Sequence, residues 1–242
     1  MAGDLTDVDL DRIEVFLGLA ERVLAQHDIA ITVDDDLWRW LETAERYREV
    51  ARFIYPGFDP RRYAPDALVA RWFRVQMGDE TIAWTCQRLD ICDDYKRLLR
   101  DGSLWGGPDG GPPKPLGGFV DDPAMPPIRG RVAHGGAAVV RPPWRGRDVS
   151  GHRMTWYLTR IPRALALRDW AIDWCTGLVD RAMVENGVQH RVYGYTSSTL
   201  FSTGMFEPLG RDYEVYCNAI NRAEMLDQVA VDTSALRREI DQ

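Results

Sequence analysis

The run Pro142-Pro143-Trp144-Arg145-Gly146-Arg147-Asp148-Val149-Ser150-Gly151-His152 concentrates residue types that hold phosphate. Glycine and small residues let several backbone N–H groups converge on one point, and a following helix adds its positive end. Arg145 and Arg147 supply forked donors suited to phosphate oxygens. His152, just past the turn, can donate to the same anion. Asp148 is the one acid in the run, and it brings a negative charge into it.

Other residues could move protons. His134 lies in the apolar segment before this turn and is a candidate base, its competing reading being a satisfied core histidine. Tyr193 and Tyr195 follow the Asn186-Gly187 helix stop and by position alone read as alternating strand aromatics. Asp173 and Glu185 are further carboxylates near them in sequence. Cys86, Cys92, Cys175 and Cys217 form no Cys-x-x-Cys pair, and the histidines are scattered at 27, 134, 152 and 190. No metal site is therefore expected, and the cysteines read as reduced, buried thiols.

Several elements must position these groups. An apolar strand over 132–141 precedes the turn, and its Gly135-Gly136 pair predicts a bulge or a close backbone approach. A helix follows, with Met154, Tyr157, Leu158, Ile161, Leu165 and Arg168 in phase; Pro162 predicts a kink, or two helices meeting. Arg153, Arg160 and Arg163 fall to its polar, solvated side. Further on come a strand over 172–179, a short helix over 180–186, strands over 191–195 and 213–220, and a short charged helix from Thr233.

Upstream, Leu10, Ile13, Leu17, Ala20 and Leu24 mark a first helix capped by Asp7 or Asp9. A short strand covers 28–33. Asp34-Asp35-Asp36 starts a helix whose stripe runs from Leu37 to Ile54. A third helix is predicted from Pro65 through Leu68, Trp72 and Val75. Ile82, Trp84 and Cys86 alternate as a half-buried strand. Residues 102–130 hold 8 glycines and 7 prolines and read as one long loop. This order of elements favours an α+β or mixed α/β fold.

Apolar strand, proline-led P-x-x-R-G-R-x-x-S turn, then the helix around 158–167 resembles motif A of the GCN5-related N-acetyltransferase (GNAT) superfamily. The resemblance is carried by residues 131–220. It implies a central, mostly antiparallel sheet flanked by helices, here with a helical N-terminal extension. It also implies a single domain over 1–242: a helical part (1–80), the 102–130 loop, and an acyl-coenzyme A-binding core (131–220). Acetyl-CoA or another acyl-CoA is then the co-substrate, held by Val139, Val140, Arg145, Gly146, Arg147, Asp148, Val149, Ser150, Gly151 and His152. The acceptor is the amine of a small molecule or a protein. His134 stands where a base could act, and Tyr195 or Tyr193 where the thiolate acid could. The family's central glycine is Asp148 here, which puts coenzyme A binding in question.

The 242 residues carry a net charge of −7 and 45% hydrophobic residues, which excludes a disordered chain or a general nucleic-acid coat. The charge is unevenly spread: residues 1–50 balance at −8 and residues 141–168 at +6. The basic segment coincides with the turn, so a specific phosphate-bearing ligand stays in play, while no aromatic–basic interleaving supports nucleic acid. The acidic start lacks the marks of a signal peptide, and no apolar run is long enough to span a membrane, so a cytoplasmic enzyme is expected. The tryptophans suggest a homodimer. Two alternatives compete with a coenzyme A-dependent acyltransferase: a catalytically silent binding or regulatory module, and an acyltransferase whose donor is an acyl-carrier protein.

Overall fold

The structure, a computed structural model, describes residues 5–64, 67–107, 111–206 and 208–241. In α1 (Asp7–Ala25) the cap is Thr6, whose hydroxyl accepts from the Asp9 N–H while Asp9 reaches back to the Thr6 N–H. β1 (Ile29–Asp34) follows. Asp36 then caps α2 (Leu37–Arg46), accepting from the Trp38 and Arg39 N–H groups. The helix expected to reach Ile54 stops at Tyr47, and α3 (Arg48–Ala51) is a separate turn ended by Arg52 at φ 63°. That break turns residues 52–58 into a strap beneath the sheet, with Tyr55 and Phe58 buried.

The helix predicted from Pro65 is a strand, β2 (Val69–Met77); Pro65 itself lies outside the described residues. Trp72 packs into the cluster on one face and Val75 into that on the other. A strand covered on both faces loses the alternation that would reveal it. β2 pairs with β3 (Glu80–Cys92) across a turn at Gly78, and α4 (Tyr95–Arg100) follows. The 102–130 loop is anchored by Leu104, Trp105, Leu116, Met125 and Ile128, all buried.

β4 (Gly130–Val140) leads to a two-stranded hairpin, β5 (Asp148–Val149) and β6 (His152–Arg153). α5 (Met154–Trp170) contains Pro162 and continues through it as one helix. β7 (Trp174–Asp180) and α6 (Arg181–Glu185) come next, and the Asn186-Gly187 stop is there, with Gly187 at φ 64°. The strand expected over 191–195 is replaced by α7 (Val188–Arg191) and a connection carrying Tyr193 and Tyr195. β8 (Ser197–Ser202), β9 (Met205–Phe206), β10 (Arg211–Asp212) and β11 (Val215–Asn221) complete the strands. The last helix is long, not short: α8 (Arg222–Ile240) starts at an Asn221–Glu224 capping box.

Seven strands form one sheet in the order β1-β2-β3-β4-β7-β11-β8. Among the described strands only β4 and β7 run parallel; the other neighbours are antiparallel. The first 80 residues therefore build one wing of the sheet, and α1 is their helical extension. Residues of α1, α5 and α8 cluster over one face. α2, the 52–58 strap, α4 and the 102–130 loop cover the other. Among the described residues no helix is long and apolar enough to cross a membrane. Of the tryptophans only Trp38 is exposed among them, so the surface that suggested a homodimer shrinks to one side chain.

Candidate active site

β4 and β7 pair from Val132↔Trp174 to Gly135↔Gly177 and then part. β4 bulges at the point of parting. Trp84 faces Val139 and Cys86 faces Gly136, so Thr85 alone opposes Ala137 and Ala138. Ala137 sits at φ 53°, and the Thr85 hydroxyl donates to the Gly136 carbonyl (3.0 Å). A bulge of this kind bends its strand away from a neighbour. Among the described residues, the β7 side of β4 has no strand partner from Gly136 on, and neither has the β4 side of β7 beyond Gly177.

A cleft fills the opening. Its inner compartment, about 220 Å³, is lined by Gly135–Ala138, Cys175, Gly177–Val179, Tyr193, Tyr195 and, from α5, Leu158, Thr159 and Pro162. Its outer compartment, about 480 Å³, is walled by Trp40, Trp84 and Val215 and rimmed by Arg52, Arg145 and Arg211. Phe53, Tyr55, Ala137, Ala138, Leu178, Val179, Met183 and Tyr193 line both compartments, so the two communicate through the gap in the sheet. Pro162 has no N–H, so the Leu158 carbonyl lacks its helical donor at this wall.

Val139, Val140 and Arg145 of the nominated coenzyme A-binding residues line the outer compartment. Arg145 also donates to the Val140 carbonyl (2.8 Å), which holds it at the end of β4. Gly146, Arg147, Asp148, Val149, Ser150, Gly151 and His152 line neither compartment. Their amides do not converge in front of α5, because 148–153 is a hairpin. Ser150 (φ 46°) and Gly151 (φ 74°) form its turn, with the two positive φ values of a type I′ connection. Asp148 serves that turn by accepting from the Gly151 N–H (2.7 Å). The hairpin packs away from the cleft: Ser150 bonds His27 at the end of α1, and Gly151 lies against Glu239 of α8. His152 stacks on Trp156 at 4.0 Å and Arg147 on Trp144 at 4.6 Å. The start of α5 remains open, since Arg153 makes no side-chain cap and Thr155 faces the outer compartment beside Arg145.

His134 is fully buried and lines neither compartment. Its Nε2 meets the Tyr55 hydroxyl (3.1 Å); its Nδ1 meets the Tyr95 hydroxyl (2.8 Å) and Thr176 (3.2 Å). Burial, reinforced by the Arg88 charge, holds the imidazole down at about 3. It is a neutral knot tying the strap and α4 to the β4–β7 rung, away from both compartments. Asp173 is held by Arg222 (2.9 Å) and the Arg131 N–H, and Glu185 by Arg181.

The tyrosines do reach the cleft. Tyr195 points its hydroxyl at the last rung, and burial followed by Cys175 raises its pKa far above the usual phenol value. Tyr193 is raised by burial and by Asp180. The turn that carries them is fastened by Arg160 and Arg163, which donate to the Tyr193 carbonyl (3.1 and 2.8 Å) and to Gln228 of α8. Both arginines are buried rather than solvated. Arg160 is lowered to about 10 by burial and by Arg163. Sequence reasoning missed the strap residues Arg52–Tyr55, Gly177, Met183 and Arg211; the isolated Gly177 in an apolar strand was the one local signal. Among the described residues no group of three or more His, Cys, Asp or Glu side chains is placed to hold a metal ion.

No family model and no curated protein matches the chain. Among solved structures it is similar to a variant of the spermidine N-acetyltransferase SpeG from Vibrio cholerae, with TM-score 0.47, 13% identity, and 84% of this chain and 98% of that one covered. SpeG in complex with CoA and spermine gives 0.46 and 11% over 83% and 99% of the two chains. FeeM, an N-acyl amino acid synthase from uncultured soil microbes, gives 0.47 and 11% over 85% and 97%. The chain has an α+β fold: a mostly antiparallel sheet flanked by helices, with one parallel pair that opens at its centre.

Proposed function

We propose that this chain is an N-acyltransferase that takes an acyl group from a coenzyme A thioester and passes it to an amine. The observation that carries this reading is the parting of β4 and β7 beyond Gly135 and Gly177. It leaves unpaired backbone N–H and C=O groups beside a narrow slot, which suits an extended, amide-bearing arm bound as an added strand is bound. Gly135, Gly136 and Gly177 let Tyr195, Phe58 and Tyr55 pack closely against this rung, which fixes the head of the slot. Val139 and Val140 would flank the arm. Arg145 and the open N–H groups at the start of α5 would meet its phosphates. Gly146 to His152 would brace that corner through the hairpin rather than touch the donor.

A bound thioester supplies an electrophilic carbonyl: the acceptor nitrogen bonds to its carbon, the carbon–sulfur bond breaks, and the sulfur leaves as a thiolate that needs a proton. We assign that proton to Tyr193, which lines both compartments and stays protonated through neutral pH because its pKa is raised. Tyr195 closes the head of the slot. The acceptor ammonium loses its proton to water in the outer compartment, since His134 is sealed off.

Calorimetry with acetyl-CoA, followed by thiol release over a panel of amines, tests the reading. Micromolar binding and amine-dependent thiol release are expected; no heat at millimolar acetyl-CoA overturns it. One observation favours a carrier-protein donor as the second reading. A hairpin with Asp148 and Glu239 near its turn stands where a diphosphate cradle was expected, and a carrier's arm bears a single phosphate. Transfer from acyl-carrier protein without binding of free coenzyme A would select it. Asp148 serves the hairpin and not the cleft, so it lends no support to the silent-module reading, which absence of amine-dependent thiol release would select.

A further inference from the structure

The outer compartment is far from uniform in charge. Arg145 marks the end nearest α5. Arg52 and Arg211 mark the rim formed by the strap and the β9–β10 hairpin, and Phe53 joins them: Arg211 lies 5.2 Å from its ring and 4.5 Å from that of Tyr213. Among the described residues, none of the three guanidiniums is salt-bridged to a carboxylate. Asp180 is the acid in the same wall, and its side chain is occupied in accepting the Met183 N–H at the start of α6. Arg52 is held at φ 63°, a conformation that costs a bulky residue about 1–2 kcal/mol and that commonly marks working positions. Between the charged ends the walls are apolar, from Trp40, Val50, Leu209 and Val215.

We propose that the Arg52–Arg211 rim binds a carboxylate, and that the acceptor is an amine carrying that carboxylate on an apolar body, as in a free amino acid with an apolar or aromatic side chain. This rests on the acyltransferase reading for its word "acceptor", but the carboxylate site stands on the rim itself. The Arg211 guanidinium over the Phe53 and Tyr213 rings, with Arg52 on the same rim, suits a planar carboxylate, and the apolar wall suits the side chain. Among the described residues, a polycationic amine meets three like charges and a single engaged acid in the same space, and is disfavoured. The amine then faces the gap, where its nitrogen bonds to the acyl carbon as the carbon–sulfur bond breaks.

The test is binding of N-acetylphenylalanine against its carboxamide, measured by calorimetry on the full chain without turnover. The acid is expected to bind at least about tenfold more tightly than the amide. That ratio should fall below about threefold in the double variant R52Q/R211Q, with acetyl-CoA affinity unchanged. Equal binding of acid and amide to the unaltered protein, no binding of either, or tighter binding of spermidine overturns the proposal. Acid selectivity without acetyl-CoA binding upholds the carboxylate site and overturns the coenzyme A reading alone.

Discussion

The Tyr195 hydroxyl stands where Gly177 has no side chain: a Cβ built on Gly177 would lie 2.5 Å from that oxygen. The absence of one methyl group leaves room for the Tyr195 hydroxyl at the last rung of the β4–β7 pair. Gly177→Ala should destabilise the protein by about 1–3 kcal/mol, the usual range for overpacking a filled site. Tyr195→Phe removes the clashing oxygen, so the double variant should regain most of that loss. Urea unfolding of the four proteins measures the coupling. Simple additivity would show that the two residues do not meet.

His134 gives a pH signature of folding rather than of catalysis. Its pKa is near 3 in the folded chain and about 6.5 when unfolded. Above 6.5 both states are neutral there and the group contributes nothing. As pH falls from 6.5 toward 3 the unfolded chain takes up a proton that the fold refuses, and stability drops by at most about 1.4 kcal/mol per pH unit from this residue. His134→Gln should flatten the acid limb of denaturation midpoint against pH by up to one proton. An unchanged slope would mean that His134 titrates normally. The profile of kcat/KM should show no step belonging to this imidazole.

Arg145 and Arg147 look alike in sequence and differ in place. Arg145 lines the cleft, whereas Arg147 stacks on Trp144 outside it. Arg145→Ala should weaken acetyl-CoA binding roughly tenfold, the scale of one charge-assisted contact. Arg147→Ala should leave it nearly unaltered. Calorimetry at two salt concentrations separates them, and a larger loss from Arg147 would return the phosphates to the hairpin.

Tyr193→Phe tests the proton to sulfur. Loss of a positioned acid costs about 10²-fold or more, so kcat should fall on that scale while KM for the donor changes little. A thioester with a better leaving thiol should narrow the deficit. Because the Tyr193 pKa is raised, the unaltered enzyme should hold its rate through pH 9 and lose it above the ordinary phenol range. An unchanged kcat in the variant would remove Tyr193 from the mechanism.

What the sequence made legible follows from burial. α1 buries one stripe, so its apolar period is visible, and β3, β4, β7 and β11, though covered on both faces, stand out as apolar runs bounded by turn residues. β2 is also covered on both faces, Trp72 packing on one side and Val75 on the other, and its strand character disappears into an even run. α8 hides its buried Met225, Val229 and Leu236 among charges, one of which, Asp232, is itself buried against Arg160. The hairpin at 148–153 escaped because Ser150-Gly151 is a weaker turn signal than Asn-Gly, while the arginines around it imitate a phosphate loop. The cleft was partly foreseen through Gly135-Gly136, Arg145 and the tyrosines. Its other wall comes from Arg52, Phe53 and Arg211, brought there by long-range folding that no local spacing encodes.

Pro162 offers a test in which stability and binding should move in opposite directions. A proline inside a helix removes one hydrogen bond and strains the turn before it, costing up to about 3 kcal/mol relative to alanine. Here it frees the Leu158 carbonyl, and Leu158 and Pro162 both line the inner compartment. An acceptor held at that wall suits an amide N–H of the donor's arm. Pro162→Ala restores the helical donor and should raise the denaturation midpoint. It should at the same time weaken the donor severalfold, because the carbonyl is then engaged within α5. Calorimetry and thermal unfolding on the same protein decide. A variant that is more stable and binds the donor as tightly as before would show that Leu158 takes no part in holding it.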